Sequence, residues 1–396
     1  NLKSAPIVVI GGGFGGLATL QALLAKSDGT PIILIDQSPR FIFKPLLYEL
    51  LSSELQLWEV APLYSALASE LGFIFLQECV VEVDKLERKI ITSSETELTY
   101  SQLVISTGVT TDYTLINDLK EYAYGFSNLN DLLRIKKLIT KINNSSQYAK
   151  PLVISGAGPT GVELACKISD LLNNRVEIYL VEKGDKILSK SKSFNREKAI
   201  AAIANRNIKI YLEHYVKSID ETFLELVTTD IKINKSHKIN YSGLIWTSGY
   251  KLTSMKLLNP FLDDKKRVQV NKYLQINEDQ NIFFVGDVTF NENNLFPSTA
   301  QVAMQQGLIV AKNIISLKTG NKLKSFQCED FGEMLSLGIG NASITGYGIT
   351  LAGSLAFSIR RLVYFLRMPG FSISLKSTGS WLLSKQIINR FFPQYP

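Results

Sequence analysis

The segment Pro6–Gly16, PIVVIGGGFGG, decides the fold. Four consecutive β-branched residues follow Pro6, and such a run predicts a strand that is buried on both faces. The glycines that follow fit the pattern G-x-G-x-x-G at Gly11, Gly13 and Gly16, and a helix-forming stretch comes next. These three glycines permit a tight turn, a close approach of a pyrophosphate and close packing of helix on strand. The segment therefore predicts a dinucleotide-binding unit.

An acidic residue completes this unit. The next apolar run, Ile32–Ile35, ends at Asp36, which lies twenty residues after Gly16. A carboxylate at that place can accept hydrogen bonds from the ribose hydroxyls of an adenine dinucleotide, and the helix start offers free N–H groups to the phosphates. A glycine turn without a ligand is the alternative, but strand, glycines, helix, strand and acid in this order favour a nucleotide.

The same plan occurs a second time. Residues 151–155 predict a buried strand, and a second G-x-G-x-x-G follows at Gly156, Gly158 and Gly161. A further predicted strand ends at Glu182, twenty-one residues after Gly161. Two copies of one unit, about 145 residues apart, predict either two dinucleotide sites or two halves of a duplicated fold.

The remaining pattern predicts short elements around these units. Three stretches are typical of antiparallel strands between charged turns: residues 73–77, 79–83 and 89–92. Residues 110–128 predict a crossing linker, and residues 298–317 a helix with Ser298 as its N-cap.

Composition limits the class of protein. Of 396 residues, 45% are apolar and 20% charged, as in an ordered chain with two or three domains. The three cysteines are far apart, which predicts a reducing compartment with neither a disulfide framework nor a zinc site. Only two histidines are present, so we expect no metal centre.

The basic excess is concentrated at the C-terminal end. The net charge is +7, and residues 351–396 contain six basic residues and no acid. Residues 351–367 predict one amphipathic helix with an apolar face and with Arg360 and Arg367 opposite, and residues 381–392 add aromatic anchors. This pattern favours an anionic membrane surface as partner. A dimer interface or a core-packed helix is the alternative, and nucleic acid is excluded because no nucleic-acid motif is present.

Taken with these motifs, the chain resembles the two-dinucleotide flavoproteins of the pyridine nucleotide-disulfide oxidoreductase superfamily, and among them the type II NAD(P)H:quinone oxidoreductases. The segment GAGPTGVE at 156–163 resembles their nicotinamide-nucleotide motif, and residues 300–306 match their A-Q-x-A-x-Q-Q motif. The stretch 36–51 is most similar to the cyanobacterial and plastid branch. Ser106 and Ser248 depart from the family, which often has Ala there.

The resemblance implies a set of site residues. FAD contacts are implied at Gly11, Gly13, Phe14, Gly15, Gly16, Asp36, Arg40, Lys44, Val80, Thr107, Gly108, Asp287, Ala300 and Gln301. NAD(P)H contacts are implied at Gly156, Gly158, Pro159, Thr160, Gly161, Glu182, Ser248 and Gly249. Catalytic roles are implied for Glu163, Gln305 and Gln306.

Each implied role has a plainer alternative. Asp287 would hydrogen-bond the ribitol chain of FAD or be a turn acid, and Arg40 and Lys44 would neutralise its phosphates or be solvated charges. Glu163 would face the nicotinamide–flavin contact and tune or relay a proton, or be an acid that the helix dipole favours. The glutamines would donate to quinone carbonyls or face solvent. Glu182 favours NADH over NADPH, whereas Lys183 beside it and the branch resemblance allow NADPH.

We therefore expect an α/β protein with two Rossmann-like domains and a C-terminal membrane-associating region of helical or mixed structure. The expected FAD domain spans 1–115 and 265–325, the NAD(P)H domain 126–264, and the membrane-association and dimerisation region 326–396. The resemblance implies oxidation of NAD(P)H and reduction of a prenylated quinone, such as demethylphylloquinone or plastoquinone, by a homodimer without proton pumping. Peripheral attachment to the cytoplasmic or stromal-type face of a plasma or thylakoid membrane is expected. The alternatives are a sulfide:quinone oxidoreductase and a non-enzymatic flavin redox sensor.

Overall fold

The structure is a computed structural model that describes residues 5–26, 28–145, 150–230, 235–253, 255–263, 267–292, 296–370 and 375–376. In chain order the strands are β1 (Ile7–Ile10), β2 (Ile32–Ile35), β3 (Ile74–Leu76), β4 (Val80–Asp84), β5 (Lys89–Thr92), β6 (Glu97–Thr99), β7 (Gln102–Ile105), β8 (Val109–Thr111), β9 (Ala123–Tyr124), β10 (Leu152–Ser155), β11 (Ile178–Val181), β12 (Ile208–Tyr211), β13 (His214–Ile219), β14 (Phe223–Thr228), β15 (Ser236–Asn240), β16 (Gly243–Trp246), β17 (Tyr250–Leu252), β18 (Val268–Gln269), β19 (Ile282–Phe284), β20 (Thr289–Phe290), β21 (Glu333–Ser336), β22 (Ala342–Gly346) and β23 (Ile349–Gly353).

The helices connect these strands. They are α1 (Phe14–Leu24), α2 (Leu47–Leu51), α3 (Leu57–Val60), α4 (Tyr64–Leu71), α5 (Leu119–Tyr122), α6 (Leu129–Asn143), α7 (Pro159–Leu171), α8 (Ser193–Ala204), α9 (Met255–Leu258), α10 (Ala300–Thr319) and α11 (Ser354–Leu366), with short 3-10 helices at Lys44–Leu46 and Asn259–Phe261.

The first glycine motif lies in a parallel sheet with strand order β19-β7-β1-β2-β3. All four residues of β1 are buried, as their β-branched run predicts. Residues 73–77 were expected to form an antiparallel strand, and this prediction is wrong. Ile74 pairs in parallel with Ile33, so β3 is the edge of this sheet, whereas β4, β5 and β6 form a separate antiparallel sheet. Side-chain alternation alone does not distinguish a parallel edge strand from an antiparallel one.

The second glycine motif lies in a matching parallel sheet with order β12-β11-β10-β16-β9. Its edge strand β9 comes from residues 110–128, the stretch predicted to be a crossing linker. That stretch also contains α5 and most of β8, which pairs antiparallel with β17. The crossing segment is therefore built into the second sheet. Two Rossmann-like parallel sheets, one for each glycine motif, confirm the two-dinucleotide part of the predicted fold class, whereas the membrane association of the C-terminal region stays a prediction.

A late segment of the chain returns to the first sheet. Strand β19 pairs with β7, and α10 packs closely on α1, because an added Cβ at Gly307 would lie 2.5 Å from the carbonyl oxygen of Gly15. Helix α10 begins at Ala300, and the Thr299 hydroxyl caps it by accepting the N–H of Val302 at 3.2 Å. The predicted N-cap at Ser298 is thus one residue too early. The predicted domain boundaries themselves stay predictions.

The C-terminal part differs most from expectation. Residues 351–367 do not form one helix, since Leu351 lies in β23 of the small sheet β21-β22-β23 and α11 begins only at Ser354. Arg360 and Arg361 are buried rather than solvated, while Leu355 on the same helix is 54% exposed. In the part of the chain that the structure describes, no helix is long and apolar enough to cross a membrane. The aromatic segment 381–392 lies outside the described residues.

Candidate active site

A cleft of about 1220 Å³ runs between the two parallel sheets and the C-terminal elements. Both glycine motifs line it, and the far end is lined by apolar residues of β22, β23 and α11. The predicted FAD residues that line the cleft are Gly11, Gly13, Phe14, Gly15, Asp36, Arg40, Lys44, Thr107, Gly108, Asp287, Ala300 and Gln301. The predicted NAD(P)H and catalytic residues that line it are Gly158, Pro159, Thr160, Gly161 and Glu163.

The first motif forms an open cradle at the start of α1. Gly13 is the N-cap of this helix, and an added Cβ there would meet nothing within 4 Å, so its backbone faces free space. By contrast, a Cβ on Gly16 would lie 2.0 Å from the carbonyl oxygen of Gly11. The Asp36 carboxylate accepts the N–H of Gly12 at 2.7 Å. Burial raises the pKa of Asp36, while this N–H and that of Ser38 act to lower it.

Polar groups beyond the cradle fit a flavin cofactor. Lys44 and Asp287 both line the cleft and interact electrostatically. Burial lowers the pKa of Lys44, which Asp287 counteracts, and burial raises the pKa of Asp287. Thr107 Oγ1 and Gln301 Nε2 are buried and have no hydrogen-bond partner among the residues that the structure describes. Buried polar atoms of this kind need a partner, and a bound FAD would supply acceptors and donors for them.

The second motif repeats this geometry at α7. Gly158 is the N-cap, and an added Cβ again meets nothing within 4 Å. Glu182 accepts the N–H of Ala157 at 2.8 Å, as Asp36 does in the first unit. The Ser106 hydroxyl donates to the Gly11 carbonyl at 2.6 Å, and the Thr247 hydroxyl donates to the Ser155 carbonyl at 2.8 Å. Ser106, a departure from the family pattern, therefore ties the end of β7 to the glycine turn.

Glu163 is a buried carboxyl at the meeting point of the two units. It lies in the second turn of α7, not the first as the sequence pattern indicated, and it lines the cleft. Burial raises the pKa of Glu163 to about 7. Arg360, the Ser336 N–H at 2.7 Å and a hydrogen bond from Tyr48 all act to lower it, and Glu49 acts to raise it. A carboxyl balanced in this way exchanges a proton near neutral pH.

Two glutamines of α10 are not placed as expected. Gln305 and Gln306, which are predicted to contact a quinone, do not line the cleft. Gln306 is buried and accepts the Gly286 N–H at 2.6 Å, which fixes the turn before Asp287. Gln305 exchanges two hydrogen bonds of 2.9 Å with the backbone of Glu329. Gln301 is the amide of this motif that lines the cleft.

Other predicted residues support the cleft walls or lie away from them. Gly16 lies in the first helical turn of α1 and Gly156 in the second glycine turn. Val80 is buried at the start of β4, and Glu182 accepts a hydrogen bond from the second glycine turn. Ser248 hydrogen-bonds Ser155 at 3.2 Å. The described predicted residues outside the cleft lining are Gly16, Val80, Gly156, Glu182, Ser248, Gly249, Gln305 and Gln306.

Sequence reasoning missed several residues of the site. Tyr48 and Tyr250 line the cleft together with Thr160. Glu49 and Arg360 form a buried ion pair of 2.5 Å behind Glu163. The only sequence signal was that Tyr48 and Glu49 lie in the branch-like stretch 36–51. No spacing rule connects this stretch with Arg360, which lies more than three hundred residues later in the chain.

The fold and this site define the class. A family profile described as pyridine nucleotide-disulphide oxidoreductase matches residues 5–307, and the chain belongs to this family.

Within the family the chain is similar to quinone reductases. It is 35% identical to demethylphylloquinone reductase NdbB of Synechocystis sp. over 95% of each chain. It is 30% identical to the alternative NAD(P)H-ubiquinone oxidoreductase C1 of Arabidopsis thaliana, over 97% of this chain and 82% of that one. The solved structure of NDH2 from Plasmodium falciparum in complex with NADH shares the fold, with a TM-score of 0.84, 19% identity and 99% coverage of both chains.

A sulfide:quinone oxidoreductase shares the fold as well. The structure of this enzyme from Aquifex aeolicus matches with a TM-score of 0.81 and 20% identity, over 99% of this chain and 96% of that one. The chemistry of that class needs paired cysteines. Here Cys79, Cys166 and Cys328 are all free thiols, and burial raises the pKa of Cys166 to about 12. None of them lines the cleft.

Proposed function

We propose that the chain is an FAD-dependent enzyme that oxidises NAD(P)H and reduces a membrane quinone. The observation that supports this function most directly is that both nucleotide cradles open into one shared cleft, which continues to an apolar mouth. The similarity to NdbB and to the plant NAD(P)H-ubiquinone oxidoreductase supports this reaction. Type II NADH:quinone oxidoreductases of Staphylococcus are also among its relatives.

The first cradle would hold FAD and the second NAD(P)H. When bound, FAD accepts a hydride from the nicotinamide and passes two electrons to an acceptor. The chain's own contribution is position and charge. The N-terminus of α1 and Lys44 supply positive potential, Asp287 offers an acceptor, and Thr107 and Gln301 offer the buried polar atoms described above. The N-terminus of α7 would hold the nicotinamide dinucleotide in the same way.

The proton balance of the reaction suggests that Glu163 transfers a proton. A hydride carries one proton and two electrons, whereas a quinone takes up two electrons and two protons on reduction. One proton must therefore come from solvent in each turnover. Glu163 lines the cleft near both cradles, and its pKa of about 7 lets it take up and release a proton at neutral pH. Tyr48 lines the cleft as well and acts to lower the pKa of Glu163, which favours the ionised carboxylate.

The apolar end of the cleft is the route by which a quinone would reach the site. Tyr347, Ile349 and Ile359 line the cleft and are also 81%, 65% and 39% exposed, so they lie at its mouth. Deeper in, Leu351 and Val363 continue this apolar wall. Such a wall suits a prenyl chain, and Gln301 at the inner end could donate to a quinone carbonyl.

The same surface would seat on a membrane. On α11, Leu355 and Leu366 are 54% and 67% exposed beside the mouth, and Arg367 is exposed as well. Arg360 and Arg361 do not serve this surface because they are buried, so the basic charge available to anionic lipid is smaller than the sequence count implies. The proposal includes peripheral attachment to the cytoplasmic or stromal-type face of the membrane. It also includes a homodimer that forms through this region.

We predict that replacing Leu355 and Leu366 together by Glu releases the protein from vesicles of anionic lipid. The loss of two apolar side chains that would insert into the lipid should weaken membrane partitioning by about a hundredfold. Vesicle flotation measures this binding. The matched control, Leu86→Glu with Ile200→Glu, adds equal charge at exposed apolar sites away from α11 and should leave binding intact. Equal release of both variants would contradict the assignment. Deleting residues 351–396 is a poorer test because it also removes Arg360.

The reaction itself is tested by stopped-flow absorbance at the oxidised-flavin band. We expect NADH or NADPH to bleach the flavin of the holoenzyme, and a soluble naphthoquinone to restore it. The two bleaching rates report the nucleotide preference that Glu182 influences. Bound flavin that neither nucleotide reduces would reject this enzyme. It would favour a redox sensor if sulfide also fails to bleach it, and the sulfide:quinone class if sulfide bleaches it.

A further inference from the structure

A cluster of buried charges lies behind Glu163, between α2, α7 and α11. Arg360 of α11 donates to Glu49 at 2.5 Å and to the carbonyl oxygen of Pro45 at 2.7 Å. The same guanidinium lies 3.7 Å from Glu163. On α7, Lys167 pairs with Glu54 at 2.6 Å.

The cluster is charge-balanced without Glu163. Three carboxylates interact with three cations in it. The carboxylates are Glu49, Glu54 and Glu59, and the cations are Lys167, Arg360 and Arg361. Burial alone would raise the pKa of Glu49, but Arg360 and Lys167 lower it below its ordinary value. Glu49 therefore keeps its charge. Glu163 is the additional carboxyl on this cluster, and its contact with Arg360 at 3.7 Å is longer than the 2.5 Å ion pair that Arg360 makes with Glu49.

We propose that Arg360 is a positioning residue for Glu163: the C-terminal helix supplies the cation, Glu49 and the Pro45 carbonyl hold it, and its charge sets how readily Glu163 releases a proton. A fully buried carboxyl with no cation nearby stays protonated and cannot relay. Arg360 offsets this burial from 3.7 Å. Because Arg360 is on α11, the proton transfer at the site depends on how α11 packs against α2 and α7. This role presupposes that Glu163 carries the proton of the quinone reductase reaction proposed above.

Two charged residues near Glu163, Arg360 and Glu49, have opposite effects on its ionisation, and experiments can distinguish them. The groups that face it are Tyr48 and Glu49 from α2, the Ser336 N–H from β21, Arg360 and Tyr364 from α11, and Cys166 and Lys167 on its own helix. Arg360 favours the ionised form of Glu163 and Glu49 opposes it. Removing either charge should therefore move the proton equilibrium of Glu163 in opposite directions, which a merely structural role would not produce.

The test is infrared titration of the purified holoenzyme from about pH 5 to about pH 10, in which the C=O band of protonated Glu163 is identified by its loss in Glu163→Gln. We expect the midpoint to rise by about one pH unit or more in Arg360→Gln and to fall in Glu49→Gln. Arg360→Lys, which keeps the charge, should restore a midpoint close to that of the unmodified chain.

Other outcomes overturn the role of Arg360. These are an unchanged midpoint in Glu49→Gln, a shift of Glu49→Gln in the same direction as Arg360→Gln, or a midpoint in Arg360→Lys equal to that of Arg360→Gln. If Arg360→Gln does not fold, Glu49→Gln and Arg360→Lys still decide. Full quinone turnover by Glu163→Gln would instead reject Glu163 as proton carrier, and the titration midpoints do not depend on that result.

Discussion

Replacement of Gly13 by Ala is expected to weaken FAD binding by about 5- to 150-fold while the chain still folds. An added Cβ at Gly13 meets nothing within 4 Å, so the protein's own packing does not oppose it. The methyl group would instead occupy the space at the start of α1 into which a pyrophosphate must come. Crowding of this size costs about 1–3 kcal/mol, or about a 5- to 150-fold loss of affinity. The measurement is the ratio of flavin to protein absorbance after purification.

The second cradle provides the matched variant. Gly158→Ala has the same open surroundings, and it should leave FAD in place while weakening NADH binding by a similar factor. Stopped-flow bleaching at increasing NADH concentration measures this loss. Circular dichroism melts of both variants should match the unmodified apoprotein. A Gly13→Ala protein that retains full flavin, or a Gly158→Ala protein that loses it, would contradict the assignment of the cradles.

Gly16 shows why the choice of glycine matters. A Cβ at Gly16 would lie 2.0 Å from the Gly11 carbonyl oxygen, and one at Gly161 would lie 1.8 Å from that of Gly156. Alanine at either position therefore disturbs the strand–helix packing itself. Flavin loss in such a variant would report misfolding as much as lost recognition, whereas Gly13 separates the two.

The nucleotide half of the site was predictable because its signals are local. A strand, a glycine turn, a helix and an acid follow one another within about thirty residues, and each has a fixed place in a Rossmann unit. The structure places Asp36 and Glu182 on the glycine turns by the same kind of hydrogen bond. Both cradles and the strands that carry them therefore follow from sequence order alone, whereas the edge strands β3 and β9 do not.

The interior of the C-terminal region was not predictable, for a physical reason. Periodicity separates the apolar and basic faces of residues 354–366 but does not tell which face lies inside. The usual interpretation buries the apolar face. Here Arg360 is buried because Glu49, 311 residues earlier, supplies its counter-charge. A long-range ion pair leaves no spacing pattern in the sequence.

Which glutamine of α10 reaches the cleft was not predictable either, for a related reason. The motif places three amides on one helix, but the identity of a residue does not state its partner. Gln306 turns to the Gly286 N–H and Gln305 to the Glu329 backbone, since the neighbouring loops leave those groups in need of acceptors and donors. The spacing predicted the helix, and the surrounding loops decided which amide reaches the cleft.

Quinone turnover is expected to fall as pH rises above about 7, and Glu163→Gln is expected to remove this dependence. Burial raises the pKa of Glu163 from the model-peptide value of 4.5 to about 7. Between those two values Glu163 keeps a proton that an exposed glutamate would have lost, and above about 7 it loses that proton. If Glu163 delivers a proton to the reduced acceptor, the alkaline limb of the rate profile reports its ionisation.

The size of the effect follows from general acid–base catalysis. Removing the proton carrier should lower kcat at neutral pH by about 10²- to 10⁴-fold, with a flat profile across the alkaline range, while bleaching of the flavin by NADH is affected much less. The measurement is kcat with a soluble naphthoquinone against pH. Glu59→Gln is the control, because Glu59 is also a buried carboxyl whose pKa is raised by burial but does not line the cleft. An alkaline limb that persists unchanged in Glu163→Gln, or disappears in Glu59→Gln, would assign the proton to another group.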